Sequence, residues 1–423
     1  MKILNVAYSL GKGGTERAAQ NFSFGYLEIG HDSRFLYTKR DGIRRGDLEK
    51  KKITVYNLSN YEDCSSIKAW NPEVVHLHSN GISANEFVKI KKLLPNAKYI
   101  ETNVFSRPSP WVDQLDLSFQ LSHWCNWLYS KRSQNKYHSF VVPYPVDTSA
   151  FHFSGEDRVR RFRESYRIKS DDIVIGRIGQ HFSSKWSPVL IDVFDILKQS
   201  IKNLKLIIVN PPESILKRSK ISPYYSDILH IDQILGDESL AECYSSIDVF
   251  VLIADQGESF GMVIAESLLC ETPVVTLATP WEDNSQGEVV GNQIGGFVAA
   301  NKKDVLGLVV NLIEDKQLRD RMGLAGRNRI IDLFDSKKVA ADALSLIDSH
   351  SSSVRGILPT QLMQDTEGSL GLVSQFILSS QRGFPLLRLS NGYMSLSSVP
   401  FFMANRLMHR IISILRLWKE KLC

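Results

Sequence analysis

The chain has 423 residues, more than a single hydrophobic core usually organises, so two domains are expected. Hydrophobic residues at 43% and charged residues at 23% argue against extensive disorder, and no run reaches the roughly 18 uninterrupted apolar residues that span a bilayer. A net charge of +5 is small for this length and gives no reason to expect nucleic acid as a partner.

The opening MKILNVAYSL carries one lysine before a short apolar run but no small-residue cleavage site, so it reads as a strand rather than a signal peptide. It is followed by a helix over TERAAQNFSFGYLEIG, strands at SRFLYT and EVVHLH, a helix near Asn85 to Leu94, and a strand at AKYIET. Short β-rich runs alternating with longer helical patterns mark βαβ units and a parallel sheet. A second series begins after Asp172: strand DIVIGRIG, a helix from Pro188 to Ser200, strands LKLIIVN and DILHI, a helix from Glu238 to Ser246, strand DVFVLIA, a helix after Phe260, and strand TPVVTL.

The fold class expected is therefore α/β, with two Rossmann-like domains in tandem. The boundaries are 1–150 for the first domain, 151–172 for a charged, proline-containing linker without strand signal, and 173–350 for the second domain. Residues 351–423 form an extension. Its last part, 399–423, sets Leu407, Ile411, Ile414, Leu415 and Trp418 near one helical face and Arg406, Arg410 and Arg416 elsewhere. Such a basic amphipathic helix suits peripheral contact with a membrane, and it suits packing back on its own protein equally well. The five cysteines, Cys64, Cys125, Cys243, Cys270 and Cys423, are scattered and form no C-x-x-C pair, which favours a reducing, cytoplasmic setting.

The segment GESFGMVIAE follows the apolar strand DVFVLIA and leads through a glycine-containing loop into a helix starting near Gly261. The free N–H groups of that first turn then face the carboxyl edge of the sheet, an arrangement that suits a phosphate. Glu258 falls in the loop and Glu266 on the helix, so the two carboxylates can accept hydrogen bonds from different hydroxyl pairs of one ligand. GKGGTER, directly after the first strand, allows close backbone approach at Gly13 and Gly14, and Thr15 can cap the helix that follows.

Two glutamates eight positions apart around a Phe-Gly make the chain resemble the retaining GT-B glycosyltransferases, the family 4-like group 1. The resemblance implies two Rossmann-like domains facing each other across a cleft and a nucleoside-diphosphate sugar as donor, with Glu258 on the sugar hydroxyls, Glu266 on the ribose, and the amides of Phe260, Gly261, Met262 and Val263 on the diphosphate. The loop at Gly13 and Gly14 would close over that diphosphate, and Lys185 in GQHFSSKWS would lie on it. Family members carry an arginine five residues before that lysine. Here Gln180 stands there, and Arg177 is the nearest arginine to take the role. Where the family ends a strand in a histidine at the donor sugar, this chain has Asn103, an amide that can bond a hydroxyl but cannot act as an acid or base.

His78, at the same sheet edge, is better read as a structural histidine. Asn284 and Gln286 are candidate sugar contacts, and Trp111, Trp124 and Trp127 either line an acceptor groove or pack as core.

The implied reaction is hexosyl transfer with retention to a glycan, lipid-linked or other hydroxyl. No cofactor or metal is expected, and an Asp-x-Asp motif is lacking. A catalytically silent binding or assembly subunit on the same fold is the alternative, kept open by Asn103 and Gln180. A dehydrogenase would want a Gly-x-Gly-x-x-Gly turn, whose spacing GKGGTER lacks.

Overall fold

A computed structural model describes residues 1–349 apart from positions 135, 138, 255 and 280–282. The extension 351–423 and the helix expected over 399–423 lie outside the described residues. The first domain contains β1 (Lys2–Ser9), α1 (Gly14–Glu28), β2 (Asp32–Arg40), α2 (Arg45–Lys50), β3 (Val55–Asn57), α3 (Tyr61–Trp70) and β4 (Val74–His78). It continues with α4 (Ala84–Leu93), β5 (Lys98–Asn103), β6 (Leu117–Gln120), α5 (His123–Arg132) and β7 (Phe140–Val141).

Next come α6 (Glu156–Ser165), β8 (Ile173–Ile178), α7 (Val189–Ser200), β9 (Leu204–Val209), α8 (Glu213–Lys220), β10 (Ile228–Ile231), α9 (Asp237–Ser245) and β11 (Val249–Leu252). The described chain ends with α10 (Met262–Leu269), β12 (Val274–Leu277), α11 (Gln286–Val290), β13 (Gly296–Ala299), α12 (Lys302–Glu314), α13 (Lys316–Phe334) and α14 (Ser336–Ser349).

Two parallel sheets result, ordered β3-β2-β1-β4-β5-β6-β7 and β10-β9-β8-β11-β12-β13. Helices cover both faces of such sheets, which is why β4, β11 and β12 are buried along their whole length and read in the sequence as unbroken or nearly unbroken apolar runs. The strand order reverses between β1 and β4 in the first sheet and between β8 and β11 in the second. A crevice opens outside the carboxyl ends of strands at such a switch point. The loops after β1, β4, β8 and β11, which carry Gly13, Lys185 and Glu258, are the ones that border these crevices.

Two expectations about domain limits change. Residues 151–172 fold with the second domain: Phe151 and Ile168 sit in its core beside Tyr244 and Ile247, with Phe162 and Tyr166 packed against them. Arg163 anchors α6 through Asp248 Oδ2 at 3.0 Å and the Ser246 carbonyl at 2.9 Å. The second domain also ends earlier than 350. From Ser336 the chain crosses back, and α14 inserts Val339, Ala340, Ala343 and Leu344 among Ile3, Phe22, Val74 and Phe119 of the first domain. Gly25 on α1 permits this approach, because a Cβ there would meet the Ser336 carbonyl oxygen at 2.3 Å. Among the described residues no helix is long and apolar enough to cross a membrane.

Candidate active site

The carboxyl edges of the two sheets meet. Arg17, in the first turn of α1, reaches across to Asp237 at the start of α9, donating from Nη1 at 2.9 Å and Nη2 at 2.7 Å. Ser122, before α5, bonds Ser285 at 2.6 Å. Glu288 of α11 accepts the backbone N–H groups of His123 and Trp124 at 2.9 and 2.8 Å, so one domain caps a helix of the other. The cleft is closed by polar contacts on both flanks.

Gly261 has φ +97° and turns the chain into α10, whose first intrahelical bond is Ile264 N–H to the Gly261 carbonyl at 2.8 Å. The amides of Gly261, Met262 and Val263 precede that bond, so the helix start presents donors. The glycine loop lies against them, since a Cβ on Gly14 would stand 3.7 Å from Met262 Cγ. The Phe260 ring points inward, against Tyr144 and Phe334. Only its backbone can address a ligand.

Lys185 and Glu258 are paired at 2.8 Å, and Lys185 also donates to the Gly257 carbonyl at 3.0 Å. Burial works against the Lys185 charge, but Glu258 more than offsets it and holds the ammonium above the ordinary lysine range. The Glu258 backbone N–H donates to Gln286 Oε1 at 3.1 Å, and Gln286 Nε2 bonds the Leu277 carbonyl and Thr279 Oγ1. Gln286 therefore positions the Glu258 loop rather than offering itself to a sugar. Asn284 accepts from Thr279 N–H at 2.7 Å and keeps a buried Nδ2 without a partner. Gly257, with φ +66°, is required here: a Cβ would stand 2.0 Å from the Asp283 carbonyl oxygen.

Glu266 is 5% exposed. Its Oε2 accepts from the Tyr244 hydroxyl at 3.0 Å, and its Oε1 lies 3.6 Å from Arg17 Nε. Burial raises its proton affinity and Arg17 opposes that rise. Sequence reasoning missed Arg17; its two acidic partners lie far along the chain, and only the R of GKGGTER hinted at it.

Three sequence expectations fail geometrically. Arg177 is fully enclosed within the second domain, donating to the Ile178 and Lys185 carbonyls and packing over Trp186 and Phe250. It supports the Lys185 turn from behind and has no face toward the cleft. Thr15 does not cap α1, whose N-cap is Gly13; its hydroxyl instead accepts from Tyr144 at 3.1 Å and from Asn80 at 3.4 Å. Asn103 is spent on its own loop, donating to Glu101 and the Arg107 carbonyl and accepting from the Phe105 and Arg107 N–H groups.

His78 is a core residue stacked at 4.2 Å on His76, its pKa pushed down to about 3 by burial. Trp111, Trp124 and Trp127 are buried. The larger cavity, about 720 Å³ and mostly apolar, lies behind Phe260 between α5, α11 and α13. Lys185, Glu258 and Glu266 do not line it.

Two parallel sheets meeting at their carboxyl edges, with a helix start, a lysine–glutamate pair and a glycine loop at the switch points, give the GT-B architecture. Residues 159–329, all in the second domain, match the family described as Glycosyl transferases group 1. The capsular polysaccharide biosynthesis glycosyltransferase CapM of Staphylococcus aureus is 27% identical over 207 residues, 46% of this chain and 51% of that protein. The chain thus spans about half the length of that curated relative.

Anabaena HepE, solved in complex with UDP and glucose, has a TM-score of 0.67 at 15% identity, over 82% of this chain and 100% of that chain. A glycosyltransferase from Rickettsia africae has a TM-score of 0.65 at 18% identity, over 82% of this chain and 98% of that chain. Such identities speak to the fold. They show a two-domain α/β architecture of the GT-B kind, and the family match is confined to residues 159–329.

Proposed function

We propose that the chain transfers a hexosyl group from a nucleoside-diphosphate sugar to a hydroxyl of a glycan or lipid-linked acceptor, with retention of configuration. The observation that carries this reading is the Lys185–Glu258 pair beside the amides that precede the first intrahelical bond of α10, opposite Gly14. The diphosphate is held by the amides of Phe260 to Val263 and covered by Gly13 and Gly14, with Lys185 as the cation at the leaving group. Glu258 accepts from the sugar hydroxyls and Glu266 from the ribose.

Arg17 has a role in this scheme. A carboxylate as buried as Glu266 accepts two hydroxyls best when ionised, and Arg17 supplies the countercharge that keeps it so. In the transfer, the acceptor oxygen forms its bond to the anomeric carbon on the face from which the phosphate oxygen departs. The hydroxyl proton goes to that phosphate oxygen, and the protein positions and neutralises. UDP is the first base to test because HepE was solved with UDP-glucose. CapM is a capsular polysaccharide biosynthesis glycosyltransferase, and for this chain a cytoplasmic site at the inner face of a membrane, reached through residues 399–423, fits an envelope glycan.

Incubating purified protein with UDP-, GDP- and ADP-sugars and following donor mass tests the reading. Loss of sugar from one donor, reduced at least about tenfold in Lys185→Ala, is expected. Donor binding without any transfer or hydrolysis would favour the silent subunit instead, the reading that Gln180 and the self-satisfied Asn103 support. Flotation of the protein on anionic liposomes with and without residues 399–423 tests the membrane contact.

A further inference from the structure

A second cavity, about 440 Å³, opens at the carboxyl edge of the first sheet between the loop after β4 and the loop after β5. That size falls within the usual range of small-molecule sites. Asp283 of the second domain closes one side. Asp283 also acts electrostatically on Lys185, and its carbonyl packs against Gly257, so the cavity adjoins the donor site.

The lining is unlike that of a generic crevice. Arg107 is exposed, and its guanidinium makes no hydrogen bond or ion pair among the described residues. Arg132 adds a second positive charge on the α5 side, with Nη1 tied to the Phe105 and Ser106 carbonyls. Phe105 is 56% exposed, a large aromatic face left in water at the rim. In the wall, Ser109 Oγ and the Nε1 of Trp111, a residue only 4% exposed, are buried beside the Glu101 carboxyl.

Each feature selects a chemistry. An exposed ring suits a sugar, whose C–H face covers the aromatic. A guanidinium without an ion partner suits a phosphate or carboxylate. We propose that this cavity binds an acceptor sugar bearing an anionic group, with Arg107 on the anion and Phe105 under the ring. This rests on the reading of the cleft as a glycosyl-transfer site and names the acceptor class.

The test uses the full chain, first titrated with UDP and then, saturated with it, with glucose 1-phosphate, glucuronate, glucose and inorganic phosphate by calorimetry. At least one sugar anion should bind about tenfold more tightly than glucose and than inorganic phosphate. Arg107→Gln should bring that anion to the level of glucose and leave UDP affinity unchanged, while Phe105→Ala should weaken glucose and anion alike. Preference for glucose 1-phosphate assigns a phosphate-linked acceptor, and preference for glucuronate assigns a uronate.

Binding of neither sugar anion, equal binding of glucose, equal binding of inorganic phosphate, or indifference to Arg107→Gln would overturn the proposal. Failure of UDP to bind speaks against the donor reading instead; the Arg107→Gln comparison is then made without UDP and still decides the pocket.

Discussion

Arg17 is the residue on which the electrostatics of the cleft turn. It neutralises Asp237 in a bidentate pair and stands beside Glu266, whose burial would otherwise favour the protonated acid. Arg17→Ala should therefore weaken UDP-sugar binding and make it depend on pH, recovering as pH rises and Glu266 ionises, in a pH series of titrations. A pH-independent loss would contradict the electrostatic role.

Glu101, beneath the second cavity, is a separate case: burial pushes its pKa up to about 7, against hydrogen bonding from Asn103, Ser109, Ser79 and Trp111, with Tyr129 also nearby. The folded state then binds more protons than the unfolded chain between about pH 4.5 and 7, so Glu101 lowers stability progressively across that window. Glu101→Gln should flatten the fall in unfolding free energy on going from pH 5 to 8, recovering roughly 1 to 3 kcal/mol at pH 8. At this scale the sequence exposes residues whose role comes from a local motif, such as Glu258 beside Gly261. It hides Arg17, which acts through partners distant in the chain, and it misleads on Arg177, because spacing along a strand says nothing of which way the guanidinium turns.

At the scale of elements, two glycines do distinct work. Gly261 sits at φ +97°, where a Cβ would also come within 2.9 Å of Ile264 Cδ1. Gly261→Ala should distort the start of α10 and weaken nucleotide binding more than it lowers the melting temperature. Gly25→Ala should do the reverse, since its Cβ would strike the Ser336 carbonyl and Ala340, prying α14 from α1 at a cost of about 1 to 3 kcal/mol in denaturant unfolding with nucleotide affinity kept.

The long parallel strands were legible because burial on both faces writes continuous apolar runs. β3 and β7, three and two residues long, carry no period to detect. The apolar stripe of α14 was visible as helix, but a stripe does not say which domain it covers, so its return to the first domain was not.

At the scale of the whole molecule, the described residues form two domains joined by the crossings near Val146 and Ser336, where Val146 N–H bonds the Phe334 carbonyl at 2.7 Å and Ser336 N–H bonds Val146 at 3.1 Å. The cleft between them is held shut by Arg17–Asp237 on one flank and by Glu288 on the α5 N-terminus on the other. Removing both in Arg17→Ala/Glu288→Ala should increase the radius of gyration in X-ray scattering, and an unchanged profile would mean that other contacts set the closure. The two-domain plan followed from the doubled βαβ pattern, whereas the closure depends on pairs formed only after both sheets are in place.

The proposed nucleotide-sugar site in this cleft turns on Glu266. Calorimetry of wild type and Glu266→Ala against UDP-, GDP- and ADP-sugars, with melting curves to confirm the fold, tests it most directly. At least one donor should bind the wild type and bind the variant at least about tenfold more weakly. Unchanged affinity in a folded Glu266→Ala protein would contradict it.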